Sequence, residues 1–211
     1  MNNYKHEFVS VNNIIPDAVL DIRYYSNYNF IGKRIDGYEE PIALLTKKAC
    51  MALKEANDEF KSKGYRIKIF DAYRPKGAVS HFIKWAKDVN DICMKNEFYP
   101  NIDKSQLFEL GYISKESSHS RGSSVDLTLV DINTNLEIDM GGKFDYFDES
   151  SHSDYKEGLS DEQLQNKFYL QNIMIKHGFV PIKEEWWHFT LKDEPFPDTY
   201  FDFPIKKLEM I

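Results

Sequence analysis

The segment from Gly122 to Val130 constrains the fold more than any other part of the sequence. Its apolar and polar side chains alternate, with Val125, Leu127 and Leu129 set against Ser124, Asp126 and Thr128. Successive side chains of a strand point to opposite faces of the sheet, so the segment is expected to be a strand. The alternation therefore predicts a strand that carries Asp126 on its polar face.

Three helices are predicted from caps and apolar spacing. Thr46 is the expected N-cap of the first, which ends near Gly64. An apolar stripe predicts the second helix over residues 76–95. The third begins with the capping box at 160–163 and ends near His177, since a glycine follows at the next position.

The remaining signals are those of strands and loops. Residues 65–71 alternate like a strand and lead into a turn at 71–75, and residues 185–191 are rich in aromatic and β-prone side chains. Residues 131–160 are polar and turn-rich, which predicts a long loop. Helices and strands are interspersed without regular β-α-β alternation. We therefore expect an α+β fold in which helices pack against a small, mostly antiparallel sheet.

Length and charge limit the classes of protein to consider. The 211 residues fit one domain, 1–211, with no repeat or linker. The formal charge of −7 argues against a nucleic-acid partner, and no apolar run is long enough to cross a membrane. The N-terminus lacks a secretory pattern, and Cys50 and Cys93 are too few for a disulfide framework, so a cytoplasmic location is expected. A homodimer is compatible with the aromatic-rich composition.

Two polar segments, 117–126 and 184–189, supply the residues that fit a catalytic metal site. His119, Asp126 and His188 are three N/O ligands that would leave a fourth position for water, as in catalytic zinc sites. Ligand type alone leaves Mn²⁺ and Fe²⁺ open. Glu185 is a spare carboxylate beside one imidazole and can act as a general base. We expect this site in a cleft at the sheet.

Each of these residues also has a structural explanation. Taken alone, His119 and Asp126 are better explained as a loop histidine and a strand-edge carboxylate, and only the joint pattern favours a metal. Glu185 and His188 would point to opposite faces of a straight strand, so a bend between them is required. Arg74 could stabilise an oxyanion or form a surface salt bridge with Asp71.

Five short motifs in order resemble those of the D-alanyl-D-alanine metallopeptidases of the vancomycin-resistance and LAS group, most nearly its dipeptidase (VanX-type) branch. The 117–126 segment resembles the pattern SxHxxGxAxD, with Ser124 in place of the usual alanine, and 185–188 resembles the ExWH-type motif. The other three lie at 21–32, 71–75 and 140–145. The resemblance covers most of the chain, from about residue 20 to residue 190.

The resemblance implies one Zn²⁺ per chain, bound by His119, Asp126 and His188, with Glu185 as the general base. It implies that Arg74 stabilises the tetrahedral intermediate. It also implies that a small dipeptide is the substrate, with its ammonium group at Tyr24, Asp126 and Asp145 and its carboxylate at Ser117.

The leading hypothesis is zinc-dependent hydrolysis of free D-Ala-D-Ala. Two alternatives stay open at this point. One is a D,D-carboxypeptidase or peptidoglycan endopeptidase with the same metal site, and the other is a zinc-stabilised binding domain without catalysis. Asp145 separates the dipeptidase from the carboxypeptidase, because only a free dipeptide has an ammonium group to receive.

Overall fold

A five-stranded sheet is the centre of the protein, whose computed structural model describes residues 4–208. The sheet has the strand order β2-β4-β5-β7-β6, and only the β2–β4 pair is parallel. Strands β1 and β3 form a separate antiparallel pair. The strands are β1 (Phe8–Ser10), β2 (Val19–Leu20), β3 (Leu44–Thr46), β4 (Tyr65–Asp71), β5 (Ser124–Asp131), β6 (Phe179–Pro181) and β7 (His188–Leu191).

Five α-helices and several 3₁₀ turns connect and cover these strands in the described residues. The α-helices are α1 (Val11–Ile14), α2 (Lys47–Lys61), α3 (Lys76–Lys87), α4 (Lys95–Phe98) and α5 (Asp161–Lys176). The 3₁₀ helices are Tyr4–Glu7, Arg23–Tyr25, Lys104–Gln106, Ser118–Arg121 and Glu149–Ser151. Helix α2 packs against β4 and α5. The α+β fold with a mostly antiparallel sheet is therefore confirmed.

The predicted helix starts lie where the caps place them. The hydroxyl of Thr46 accepts a hydrogen bond from the amide of Ala49 at the start of α2. At the start of α5, Ser160 and Gln163 form both hydrogen bonds of the capping box. Each bond pairs an amide that the first helical turn leaves without a partner, which fixes where the helix begins.

Two predicted boundaries are wrong. The helix expected over 76–95 ends at Lys87. The ammonium group of Lys104 donates hydrogen bonds to the carbonyl oxygens of Asp88 and Asp91, which holds that segment out of helical geometry. The last strand begins at His188 rather than Glu185, because the chain turns through residues 186–187. The amide of Trp186 donates to the carbonyl of Ser151 in the long loop, which keeps it out of the sheet.

Strand β5 lies at the middle of the sheet and is buried from Ser124 to Val130. Val125, Leu127 and Leu129 belong to one continuous core that draws on residues from every helix longer than one turn. This core supports the prediction of one domain, which stays a prediction. Within residues 4–208, no helix is long and apolar enough to span a membrane.

Candidate active site

The register of the two central strands brings the candidate ligands together. Asp126 on β5 lies directly opposite His188 on β7, and Ser124 lies opposite Thr190 two positions away. Directly opposed residues of an antiparallel pair project to the same face with their Cβ atoms about 5 Å apart. The sheet therefore presents a carboxylate and an imidazole side by side, although 62 positions separate them along the chain.

His119 reaches the same place from the 3₁₀ helix that precedes β5. Ser117 is the N-cap of this helix, and its hydroxyl accepts a hydrogen bond from the amide of His119. Gly122 ends the helix at a φ of 79°, and a Cβ atom here would lie 2.3 Å from the ring of Phe8. Only glycine fits both this backbone conformation and this contact, so the turn that aims His119 at the sheet depends on it.

Three side-chain atoms converge on one point. The Nε2 atom of His119, the Nδ1 atom of His188 and the Oδ1 atom of Asp126 are separated from one another by 3.0, 3.0 and 3.2 Å. A tetrahedral metal with bonds of about 2.0 Å places its ligand atoms about 3.3 Å apart. The three buried residues thus have the spacing that one small ion requires.

Hydrogen bonding and pKa shifts at these residues also fit a metal site. The Nδ1 atom of His119 lies 2.6 Å from the carbonyl oxygen of Ala72, which can only accept, so this nitrogen carries the proton and Nε2 carries a lone pair. Electrostatic interaction with His119, followed by that with His188, outweighs the effect of burial and holds the pKa of Asp126 below its usual range. Burial lowers the pKa of His119. An ionised carboxylate and a neutral imidazole are the forms that bind a metal.

Glu185 lies just before the turn that leads into β7. This turn is the bend that the sequence required, and it places Oε2 of Glu185 3.8 Å from Nδ1 of His188. Burial, reinforced by the charge of Asp126, raises the pKa of Glu185 to about 7. A carboxylate with a pKa near neutrality is suited to taking up and returning a proton.

Arg74 is held beside the carboxylates of Asp71 and Asp126. Its Nε atom donates to Asp71 over 2.8 Å, and an Nη atom lies 3.5 Å from Asp126. Asp71 is only 1% exposed and also accepts a hydrogen bond from Tyr38. The salt bridge with Asp71 exists, but it is buried and not at the surface, so it orients the guanidinium toward the site.

Tyr24 and Asp145 lie on another side of the candidate site and are hydrogen-bonded to each other. The Tyr24 hydroxyl donates to Asp145 over 2.9 Å, and the guanidinium of Arg74 lies over the Tyr24 ring. Burial, with the nearby carboxylates of Glu185 and Asp126, raises the pKa of Asp145 well above its usual range. An ammonium group bound here would favour the ionised form.

A cavity of about 30 Å³ joins most of these side chains. Ser117 is not among the residues that line it, and its hydroxyl serves as the helix cap. The sequence reasoning did not identify the aromatic and aliphatic part of the wall. The lining residues are Tyr24, Phe30, Arg74, Phe82, Tyr112, Ile113, Asp126, Asp145, Phe147 and Glu185.

The chain matches known proteins over nearly its whole length. Residues 4–206 match the peptidase family described as D-ala-D-ala dipeptidase. The chain is 41% identical to a D-alanyl-D-alanine dipeptidase of Enterococcus faecalis and 40% identical to one of Enterococcus faecium, and each match covers 94% of this chain and 98% of the relative. A D-alanyl-D-alanine dipeptidase of Streptomyces coelicolor is 39% identical with the same coverage. The chain therefore belongs to the D-ala-D-ala dipeptidase family of peptidases.

Proposed function

We propose that the protein is a zinc-dependent dipeptidase that hydrolyses free D-Ala-D-Ala. One observation carries the proposal: the three-atom ligand set includes Asp126, which also lines a small cavity together with a base, a guanidinium and a second buried carboxylate. The relatives named D-alanyl-D-alanine dipeptidase supply the substrate.

His119, Asp126 and His188 would hold one Zn²⁺ per chain. The N/N/O set fits a catalytic zinc site, and the distances between the ligand atoms fit a single ion. When bound, zinc lowers the pKa of a water molecule and polarises a carbonyl group.

The protein's own groups supply the proton transfers and charge stabilisation. Glu185 takes a proton from the attacking water and returns it to the departing amine, a role that its pKa near 7 permits. Arg74 donates to the carbonyl oxygen as negative charge develops there, and Asp71 keeps the guanidinium in place.

Both ends of the substrate are recognised by charge. Tyr24, Asp126 and Asp145 would receive the ammonium group, and Ser117 would donate to the carboxylate, since its hydroxyl accepts as a helix cap and keeps its own hydrogen. The buried Tyr24–Asp145 pair favours a dipeptidase over a D,D-carboxypeptidase or endopeptidase, whose substrate has no free ammonium group at that position. The presence of Glu185 as a base and of the Arg74 guanidinium favours a catalytic protein over a non-catalytic binding domain.

Turnover by zinc-loaded protein tests the proposal, with chelator-treated protein as the control. We expect free D-Ala-D-Ala to be hydrolysed and N-acetyl-D-Ala-D-Ala to be a poor substrate. Glu185→Ala should keep zinc and lose at least about a hundredfold in kcat, whereas His119→Ala should lose zinc. Near-normal turnover by Glu185→Ala, or a preference for the acetylated compound, would contradict the proposal.

Two broader expectations belong to the same proposal. The cytoplasm is the proposed location, and it is supported by Cys50 and Cys93, which are both free thiols. A homodimer stays a prediction that sedimentation of the purified protein would check.

A further inference from the structure

Three hydroxyl groups lie beside the outer nitrogen of His188, on the side of the ring away from the ligand atoms, and two of them contact it. The Nε2 atom lies 3.0 Å from Oγ1 of Thr190 and 3.3 Å from Oγ of Ser118. The hydroxyl of Ser124 lies 2.8 Å from each of these two oxygens, while Thr190 and Ser118 are 3.4 Å apart. Ser124 is therefore the bridge between the two hydroxyls that touch His188.

The fold fixes this arrangement. Ser124 and Thr190 are a directly opposed pair on β5 and β7, one step along the same face from Asp126 and His188. Ser118 opens the 3₁₀ helix that carries His119. Ser124 is 0% exposed, so its hydroxyl has to find its partners within this cluster.

Counting protons shows what the bridge does. Ser124 donates to Ser118, and its lone pairs then accept the hydrogen of Thr190. With its own hydrogen used in this way, Thr190 offers His188 a lone pair, and an N–H at Nε2 can donate to it. When Nε2 carries the ring proton, Nδ1 has a lone pair that faces His119 and Asp126.

We propose that Ser124 is a positioning residue that holds the ring orientation of His188 through Thr190. The inference rests on the proposed function, since it takes His188 as a metal ligand. Histidine ligands usually donate their second N–H to a carboxylate, a backbone carbonyl or water. A hydroxyl relay instead brings no negative charge to the imidazole, which leaves more of the ion's positive charge available to the substrate.

Zinc affinity, measured by competition with a chelating dye, is the first test. We expect Ser124→Ala to weaken zinc binding by roughly three- to tenfold and Thr190→Val by roughly 10- to 100-fold, whereas Thr190→Ser keeps the hydroxyl and stays near wild type. Ser123→Ala is the matched control, because Ser123 is an equally buried neighbour whose hydroxyl bonds to Thr46 and not to this cluster.

The ring orientation of His188 in metal-free protein is the second test, read from crystal structures. Wild type and Ser123→Ala should keep Nε2 at Thr190 and Nδ1 at Asp126, and Ser124→Ala should show the ring rotated or in two orientations. A purely structural role would lower thermal stability without changing the ring orientation.

The two tests separate the inference from the proposed function. Failure of wild-type protein to bind zinc would overturn the function, while the crystal structures would still decide the inference. Equal zinc affinity and an unchanged ring orientation in Ser124→Ala would overturn the inference alone.

Discussion

The hydroxyl of Tyr24 donates a hydrogen bond of 2.9 Å to Asp145, although 121 positions separate the two residues along the chain. Both side chains are buried, and Asp145 has a φ of 58°, in the left-handed region that few side chains other than Asn and Asp adopt readily. A buried carboxylate in a strained conformation is held there by its surroundings. Asp145 lies on the cavity wall, and the proposed function assigns it to the ammonium group of the substrate.

Asp145→Asn should therefore impair the hydrolysis of a free dipeptide selectively. Asparagine keeps the shape and tolerates the left-handed conformation but removes the charge, so we expect kcat/KM for D-Ala-D-Ala to fall by about 10- to 100-fold. The rate for N-acetyl-D-Ala-D-Ala should change little, because it has no ammonium group. Parallel kinetics on the two compounds check this, with Tyr24→Phe expected to give a smaller effect in the same direction. Equal losses on both substrates would contradict it.

Arg74→Lys should lower kcat even though the charge is kept. The Nε atom of Arg74 binds Asp71 and thereby aims the rest of the guanidinium, which a lysine ammonium cannot reproduce. We expect a loss of about 10²- to 10³-fold in kcat, the size seen when an oxyanion donor is removed. Zinc content should remain that of the wild type. Asp71→Asn should cause a smaller loss, and unchanged kcat in both variants would be the contrary result.

Glu185 should make the stability of the metal-free protein depend on pH. Its pKa rises from 4.5 to about 7 on folding, so the native state binds the proton more tightly than the unfolded chain does. The contribution of this group to the free energy of unfolding is therefore present below about pH 4.5, falls as pH rises to about 7 and is lost above it. Urea unfolding in chelator at pH 5–8 should show Glu185→Gln gaining stability over wild type across this window. Parallel pH curves would refute the prediction.

Gly122→Ala should destabilise the fold and the metal site together. The new Cβ atom would meet both an unfavourable positive φ and the ring of Phe8. We expect a loss of about 2–4 kcal/mol in the free energy of unfolding, from backbone strain and overpacking combined. Gly64→Ala is the matched control, since Gly64 has a similar φ with no atom near its Cβ position. Similar losses in the two variants would assign the whole effect to φ.

The local signals in the sequence were sufficient for the main elements. Thr46 and the 160–163 box predicted two helix starts because a cap is a contact between residues close in sequence. The alternation in β5 predicted the strand that carries Asp126. The end of α3 was not predictable in this way, because Lys104 imposes it from a later part of the chain.

The candidate site likewise combines features that the sequence predicts with features that depend on distant parts of the chain. Pairing of the segments that contain His119, Asp126 and His188 was expected, and the structure places the three residues together. Their roles as ligands stay a prediction. The turn after Glu185 depends on the bond between Trp186 and Ser151. Strand register brings Ser124 to Thr190, and Ser118 comes from the 3₁₀ helix before β5. Thr190 had one usable signal, since it lies two positions after His188 and so on the same face of the strand.

The pairing of β5 with β7 also sets an order of events during synthesis. His119 and Asp126 emerge from the ribosome together, but His188 follows 62 positions after Asp126. If these three residues bind an ion as proposed, the nascent chain offers it only two of the three ligands until β7 docks, and such a site binds weakly and exchanges readily. Tight metal binding would then have to follow closure of the sheet, so that a bound ion would indicate completed folding.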